Sequence, residues 1–289
     1  MSHTLTFWGT RGSIPTPGPA TARYGGNTPC IAISGTNGGL VVLDAGTGLR
    51  PLGHELMLRR NGRPLTAEIL LSHTHWDHIQ GLPFFKPLSA PGNRVRIYGA
   101  AQEGVALAEI LGRQMDPMVF PVPLDAVAAD LSVNEVSEGG FELEHFHVRT
   151  IRLRHPGQTL GYRLQPLDGG REIGYITDNE LGPGGAYEVG ENWRARLVDF
   201  LQGCDTVIHD AMYAEGMIRA RAGWGHSTPG EAVRLTAEAG CSRLVLFHHE
   251  PEHDDDAMDD LLCETRVLAR TIAPGLEVDA AMEGSQIRL

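Results

Sequence analysis

The stretch Leu71-Ser72-His73-Thr74-His75-Trp76-Asp77-His78 decides the fold of this chain. It brings three histidines and a carboxylate together within six positions, directly after the apolar run 67–71. The run predicts a buried strand that ends at Ser72, so these side chains leave the strand at its carboxyl end. His73 and His75 are two apart and point the same way on an extended backbone. So dense a set of liganding groups indicates a metal site rather than unrelated surface histidines.

Four later runs are likewise followed by residues that can bind a metal or carry a proton. Each run predicts a strand with polar residues after its carboxyl end. The runs are 148–153 before His155, 172–177 before Asp178, 205–208 before His209 and Asp210, and 243–247 before His248 and His249. We expect this repeated order of strand and then ligand to collect the side chains on one rim of a sheet.

The His-x-His-x-Asp-His pattern resembles the signature of the metallo-β-lactamase superfamily, and the resemblance extends along nearly the whole chain. Within that superfamily the chain is most similar to the branch of tRNase Z and of small phosphodiesterases that act on cyclic nucleotides and cyclic phosphates. The stretches that carry the resemblance are 9–13, 25–28, 43–48, 177–178, 209–211, 225–228 and 246–248. It implies an α/β fold, the αββα four-layer sandwich, and we predict a single hydrolase domain over residues 1–289.

The resemblance also implies two divalent metal ions and their ligands. The ligands of the first ion would be His73, His75 and His155. The ligands of the second ion would be Asp77, His78 and His248, and Asp178 would bridge the two ions. His249 competes with His248, which we prefer because it directly follows its strand. Nitrogen and oxygen donors without a thiolate suit zinc best and accommodate manganese, iron or cobalt. The family's aspartate at Asp44 supports a metal-bound histidine; alternatively, Asp44 caps the turn into the helix near Leu49.

We predict His226, Asp210 and Asp77 as catalytic residues. Two ions roughly 3.5–4 Å apart can hold a hydroxide for attack on phosphorus. The resemblance implies that His226 then protonates the leaving oxygen or clamps a phosphate oxygen, while Asp210 orients its ring. The alternative for His226 is a residue that merely precedes a capped helix, for which Thr228, Glu231 and Gly240 are the end signals.

Arg11, Asn27 and His226 are the predicted substrate-binding residues. Arg11, flanked by glycines in the loop 9–23, can reach a phosphate or can bond loop carbonyls as a structural arginine. Asn27 can line the pocket, or the glycines before it can simply permit a tight turn. Both alternatives stay open at this point.

Residues 102–138 are the least regular part of the chain. Apolar residues at helical spacing predict a helix over 102–114, and the proline-rich piece 118–123 is unsuited to a central strand. The position of this segment in the chain resembles that of the family's variable insertion, which covers the active site or joins subunits. The alternative is an ordinary packed connection. The resemblance implies a homodimer. A hairpin turn is predicted around 36–39.

Composition bounds the partners of the protein. With 289 residues, 42% of them hydrophobic, and no long apolar run, the chain predicts a globular protein that does not enter a membrane. The N-terminus lacks the pattern of a secretory signal, and four scattered cysteines predict reduced thiols, so we expect a cytoplasmic protein. A charge of −12 disfavours a nucleic-acid polymer, although bound dications cancel part of it.

The sequence therefore predicts a dinuclear metal-dependent phosphodiesterase that hydrolyses a small cyclic phosphodiester by metal-bridged hydroxide attack, with a cyclic nucleotide such as cAMP as leading substrate. The nearest alternative is a tRNA 3′-processing endonuclease like tRNase Z. Two others are a thioester, lactone or β-lactam hydrolase on the same fold, and a non-catalytic metal-binding sensing module.

Overall fold

The computed structural model describes residues 3–35, 39–182 and 184–289. One sheet contains β1 (His3–Gly9), β2 (Cys30–Gly35), β3 (Leu40–Leu43), β4 (Thr66–Leu70), β5 (Arg94–Gly99), β6 (Asp130–Glu135) and β14 (Gln286–Arg288). The other contains β7 (Gly139–Glu142), β8 (Phe146–Arg152), β9 (Leu160–Pro166), β10 (Ile173–Ile176), β11 (Thr206–Asp210), β12 (Arg243–Phe247) and β13 (Glu277–Ala280). The helices are α1 (Leu49–Arg60), α2 (Trp76–Ile79), α3 (Leu107–Gln114), α4 (Trp193–Leu201), α5 (Pro229–Glu238) and α6 (Asp255–Ile272).

The two sheets have the strand orders β14-β1-β2-β3-β4-β5-β6 and β13-β12-β11-β10-β9-β8-β7. In the first sheet β3, β4, β5 and β6 are parallel to one another. In the second sheet β10, β11, β12 and β13 are parallel. Parallel neighbours end at the same edge, so each sheet presents several carboxyl ends side by side. This arrangement is what gathers the polar residues that follow the strands.

The main core lies between the sheets. Residues at alternate positions of β1 are buried, and Phe7 packs its ring 6.2 Å from that of Phe247 on β12, which also contacts Tyr175. The outer face of the first sheet is covered by α1 and α3 through residues such as Leu49 and Leu107. Helices α4, α5 and α6 cover the outer face of the second sheet. The predicted αββα four-layer sandwich is therefore confirmed.

Several element boundaries differ from the predictions. Strand β4 ends at Leu70, two residues before Ser72, because Ser72 turns its amide to the Asp44 carboxylate. Helix α3 begins at Leu107, since Gln102 and Val105 pair with each other in an isolated bridge. The predicted turn around 36–39 falls largely outside the described residues, whereas β2 and β3 pair antiparallel as expected.

The predicted insertion has two parts with different environments. Leu107 and Leu111 of α3 are buried against the first sheet, as in a packed connection. The proline-rich piece that follows forms no strand, and its Met118 and Val119 are 91% and 72% exposed. A role as lid or dimer contact stays a prediction. Within the described ranges, no helix combines the length and the apolar character that crossing a membrane requires. All four cysteines are free.

The amino end of α5 allows a stability test. Thr228 accepts a hydrogen bond from the amide of Glu231 at 3.2 Å, and the Glu231 carboxylate accepts from the amide of Thr228 at 3.0 Å. We expect Thr228→Ala to lower the free energy of unfolding by about 1 kcal/mol, because the substitution removes this cap. Urea denaturation of the variant measures the loss. Thr271→Ala, in the exposed part of α6, is the control and should change stability by less than about 0.5 kcal/mol; equal losses would contradict the prediction.

Candidate metal centre

The site lies where parallel strands of both sheets end. Asp44 directly follows β3, His248 directly follows β12, and Asp178 comes two residues after β10. All three have left-handed backbones, with φ values of 59° for Asp44, 45° for Asp178 and 59° for His248. Such a conformation is uncommon for residues with a side chain, and it persists where surrounding contacts hold it. It turns each side chain away from its strand and into the space between the two sheets' ends.

The first group of predicted ligands comes together as the sequence implied. His75 Nδ1 lies 3.0 Å from His155 Nε2, and the His73 ring packs 4.5 Å from the His75 ring. One donor atom from each of His73, His75 and His155 lies within 4.8 Å of the others. His73 and His155 are buried, whereas His75 is exposed and marks the open side of the site.

The second group lies beside the first. His78 Nε2 is 3.3 Å from His248 Nε2, and Asp77 Oδ2 is 3.2 Å from each of these nitrogens. All three side chains are buried. His249, the alternative ligand, points elsewhere, since its Nε2 lies 2.8 Å from the carbonyl of Ala281. His248, and not His249, therefore lies in the cluster with Asp77 and His78.

Asp178 lies between the two groups. Its Oδ2 is 3.7 Å from His73 Nε2 and from His155 Nε2. Its Oδ1 is 3.2 Å from His78 Nε2 and from His248 Nε2. One carboxylate oxygen thus faces each group, which is the arrangement that a bridging ligand requires.

The chemistry of these donors fits divalent cations. Ser72 Oγ donates to Asp44 at 2.8 Å, so at 3.0 Å it accepts from His73 Nδ1. The lone pair of His73 is then on Nε2, which is buried without a hydrogen-bond partner among the described residues. His155 Nδ1 similarly donates to the Gly225 carbonyl at 2.9 Å and directs its Nε2 into the cluster. Buried lone pairs that face one another need a cation between them.

The pKa values of His73, His155 and Asp178 agree with this reading. Burial lowers the pKa of His155 to about 4, and it lowers the pKa of His73 well below its usual range. Burial opposes ionisation of Asp178, but the nearby histidines, with His248 first, hold its pKa well below the usual range. Neutral imidazoles and an ionised carboxylate are the forms that bind metal. Burial would also lower the pKa of His78, but the carboxylates of Asp77, Asp178 and Asp44 raise it well above its usual range in the absence of a cation.

Asp44 contacts His78, one of the predicted ligand histidines. The carboxylate is fully buried and accepts from His78 Nδ1 at 2.7 Å and from the amide of Ser72 at 2.7 Å. Tyr175 donates its hydroxyl to the same carboxylate at 2.7 Å, a contact that the sequence did not reveal. These contacts fix the tautomer of His78 and turn its Nε2 toward Asp178.

His226 and Asp210 form a pair at the edge of both groups. Asp210 Oδ2 accepts from His226 Nδ1 at 2.8 Å, and the amide of Met212 holds the other oxygen at 2.9 Å. The His226 ring lies 5.2 Å from the ring of His155 and 5.1 Å from that of His248. Burial would lower the pKa of His226, but the Asp210 carboxylate raises it to about 9. The pair therefore holds a proton next to the cluster.

Glu180 is a structural residue of the site that the sequence did not indicate. Its buried Oε2 accepts from the amides of Gly223 at 2.9 Å and Gly225 at 3.1 Å, and from the hydroxyl of Tyr187 at 2.7 Å. Gly225 in turn holds His155 through its carbonyl. Glu180 thereby fixes the backbone that leads to His226.

The prediction that Arg11 binds substrate is wrong. The side chain is 0% exposed, and its guanidinium donates to the carbonyls of Gly25, Glu250 and His253. Those bonds fix the loop on the C-terminal half of the chain. The loop contacts the site through its backbone instead, because the amide of Ser13 donates to Asp77 at 2.8 Å.

Asn27 is also engaged elsewhere. Its carboxamide donates to Glu283 at 3.0 Å, and its backbone amide donates to the same carboxylate. This pairing engages the amide nitrogen of the half-buried Asn27 side chain, and a role in substrate binding stays a prediction. For Arg11, the alternative of a structural arginine that bonds loop carbonyls describes the observed contacts.

Comparison with known proteins adds a family and several similar folds. Residues 40–249 match the family described as "Beta-lactamase superfamily domain". A ribonuclease Z of Methanosarcina acetivorans is 25% identical over 309 aligned residues, which cover 93% of this chain and 94% of that protein. The solved structure of unliganded yeast PDE1 has a TM-score of 0.70 at 15% identity, covering 100% of this chain and 99% of the other. Human tRNase Z, short form, has a TM-score of 0.65 at 21% identity and covers 98% of each chain.

The support of His78 by Asp44 yields a test on metal binding. We expect Asp44→Asn to weaken zinc binding roughly 10- to 100-fold, because the substitution removes a partner that orients a ligand histidine. Competition with a chromophoric chelator measures the affinity. Glu68→Gln, which changes another buried carboxylate on β4, is the control and should bind zinc as tightly as the wild type. Unchanged zinc affinity in Asp44→Asn would contradict the prediction.

Proposed function

The chain belongs to the β-lactamase superfamily, whose domain matches more than half of it, and from this premise we propose that it is a metal-dependent phosphodiesterase. The leading substrate is a small cyclic phosphodiester, with a cyclic nucleotide such as cAMP first. The observation that carries the proposal is the His226–Asp210 pair, which holds a proton beside two ligand groups joined by Asp178. A site that only stores metal has no use for such a proton.

The residues divide the reaction among themselves. His73, His75 and His155 would hold one ion, and Asp77, His78 and His248 the other, with Asp178 between them. When bound, the ions supply Lewis acidity and an activated water. The exposed side of His75 leaves an entrance for the phosphate. A phosphate bound at ions held there would lie beside His226, whose ring is 5.2 Å from that of His155 and 5.1 Å from that of His248.

His226 protonates the leaving oxygen in this proposal. Asp210 engages Nδ1, so the proton on Nε2 is free for a substrate oxygen. The pKa of about 9 keeps the ring protonated at neutral pH. Divalent cations held by the neighbouring ligands would lower this pKa toward the range in which proton transfer is most effective.

The second candidate is an RNA endonuclease that processes the 3′ end of tRNA. The similarity to a ribonuclease Z along 93% of this chain favours it. Charge opposes it, since the net charge of −12 repels a polyanion unless a basic surface or bound dications compensate. Our expectation that a nucleic-acid polymer is disfavoured finds no support in the comparisons. Both candidates require a phosphorus–oxygen bond of a phosphodiester to be broken and a proton to be delivered to the leaving oxygen.

Other features remain predictions. Zinc as the native metal, a homodimer and a cytoplasmic location rest on the sequence. Hydrolysis of a thioester, lactone or β-lactam also produces a leaving group that accepts a proton, so His226 could serve these reactions too. The chain offers no further support for these substrates.

Substrate panels separate the candidates. Zinc- or manganese-loaded protein is assayed with bis(p-nitrophenyl) phosphate, with 3′,5′- and 2′,3′-cyclic nucleotides and with a 3′-extended tRNA precursor. We expect turnover of the diester and of a cyclic nucleotide, both lost in Asp178→Ala. Cleavage of the tRNA precursor alone would favour the second candidate, and no turnover of any phosphodiester by metal-replete protein would reject the proposal.

The role of His226 can be separated from substrate binding by the choice of leaving group. We expect His226→Ala to lower kcat on substrates with an alkoxide leaving group roughly 100- to 10,000-fold, the usual contribution of a general acid. The loss on a p-nitrophenyl ester should be far smaller, since nitrophenolate leaves without a proton. His54→Ala on α1 is the control. Equal losses on both substrates would indicate a phosphate clamp instead.

A further inference from the structure

Trp224 is a large apolar side chain that is exposed to solvent near the candidate catalytic centre. It is 56% exposed and stands two residues before His226. The intervening Gly225 accepts a hydrogen bond from the ligand His155 at 2.9 Å. The indole therefore lies within a few residues of both the ligand group and the predicted proton donor.

The backbone on both sides of Trp224 is fixed. The amides of Gly223 and Gly225 donate to the same buried oxygen of Glu180, at 2.9 Å and 3.1 Å. Both glycines have positive φ values, 86° and 85°, which a residue with a side chain rarely adopts. The chain thus makes a narrow turn around one carboxylate and projects the residue between the two glycines outward. An exposed tryptophan on a fixed backbone is prepared for contact before any ligand arrives.

Arg221 connects this tryptophan to the inner wall of the site. Its guanidinium lies 4.7 Å from the ring centroid of Trp224 and 5.1 Å from that of Tyr213. The Tyr213 ring packs 5.5 Å from the His226 ring. Trp224, Arg221, Tyr213 and His226 thereby form a continuous aromatic and cationic wall, which we call the Trp224 wall. A guanidinium against one face of the indole orients that ring and adds positive charge beside it.

An aromatic platform with an adjacent cation suits one class of group. Nucleobases stack on tryptophan whatever their sequence, and arginine contributes to the same binding. The phosphate of such a substrate would lie at the metal centre, which adjoins the inner end of the wall at His226. The exposure of the indole also means that the fold gains little from it and that the ring is accessible to a ligand.

We propose that the Trp224 wall binds the nucleobase next to the scissile phosphate, with Trp224 as the stacking surface. This inference rests on the proposed function and adds the surface that would recognise the base of a nucleotide substrate. The same contact would serve a cyclic nucleotide or the end of an RNA. Arg221 acts by orienting the indole, and Tyr213 contacts Arg221 and His226 behind it.

Binding of two ligands to the metal-loaded protein tests the proposal. Adenosine 5′-monophosphate and ribose 5-phosphate share sugar and phosphate and differ in the base. Isothermal titration is carried out with the wild type, Trp224→Ala, Trp224→Phe and Trp76→Ala. Trp76 is the matched comparator, because it is 74% exposed and directly follows the ligand His75. Metal content and thermal melting are recorded for each variant.

We expect Trp224→Ala to weaken binding of adenosine 5′-monophosphate roughly 5- to 100-fold, with ribose 5-phosphate unchanged and Trp224→Phe close to wild type. Equal affinity of the wild type for both ligands, equal weakening of both in Trp224→Ala, or a selective loss in Trp76→Ala alone would overturn the proposal. If the base preference is present but no phosphodiester is hydrolysed, the proposed function fails and the nucleobase site stands. Turnover of 3′,5′-cAMP and of an RNA by wild type and Trp224→Ala then identifies which source the wall serves.

Discussion

The structure depends on one electrostatic constraint, the convergence of histidine lone pairs and carboxylate oxygens in a buried space. His73 presents an unpartnered nitrogen, His78 and His248 bring theirs within 3.3 Å, and Asp178 lies between the groups. Without a cation, such acceptors repel one another and are cut off from water. The fold holds them in place through contacts made behind the ligands, by Asp44, Ser72, Tyr175 and Gly225. Stability of the surrounding fold is therefore used to maintain an arrangement that is unfavourable until metal binds.

The topology explains how residues so far apart in the chain meet. Each sheet has a set of parallel strands, and the ligands follow the strands' carboxyl ends in both sheets. The left-handed conformation of Asp44, Asp178 and His248 recurs at three of these exits. It bends the backbone immediately after the last paired residue, so the side chain enters the gap between the sheets rather than continuing along the strand. A common local geometry thus builds the site from unrelated segments.

The sandwich, the two ligand groups and the His226–Asp210 pair were predicted through the family resemblance. The residues that carry the resemblance are recognisable because their signals are local: a short motif, or a ligand at the end of an apolar run. Sequence analysis misjudged Arg11, whose glycine neighbours suggested a phosphate contact, because its partners Glu250 and His253 are 239 and 242 positions away. Asn27 likewise has a distant partner, since Glu283 lies near the other terminus. Glu180 has no recognisable pattern, since its partners are backbone amides that any sequence supplies. Local patterns reveal donors; long-range folding decides which of them are already occupied.

The Glu180 carboxylate has a consequence for how this protein can diverge from its relatives. One buried side chain receives the amides on both sides of Trp224 and the hydroxyl of Tyr187, and Gly225 passes the constraint on to the ligand His155. Insertions or deletions in 223–225 would shift a metal ligand as well as the exposed indole. The backbone contacts of this turn do not involve the side chain at position 224, whereas a change in the length of the turn would displace His155. Substrate preference in descendants of this chain should evolve by replacement of single side chains on a loop of constant length.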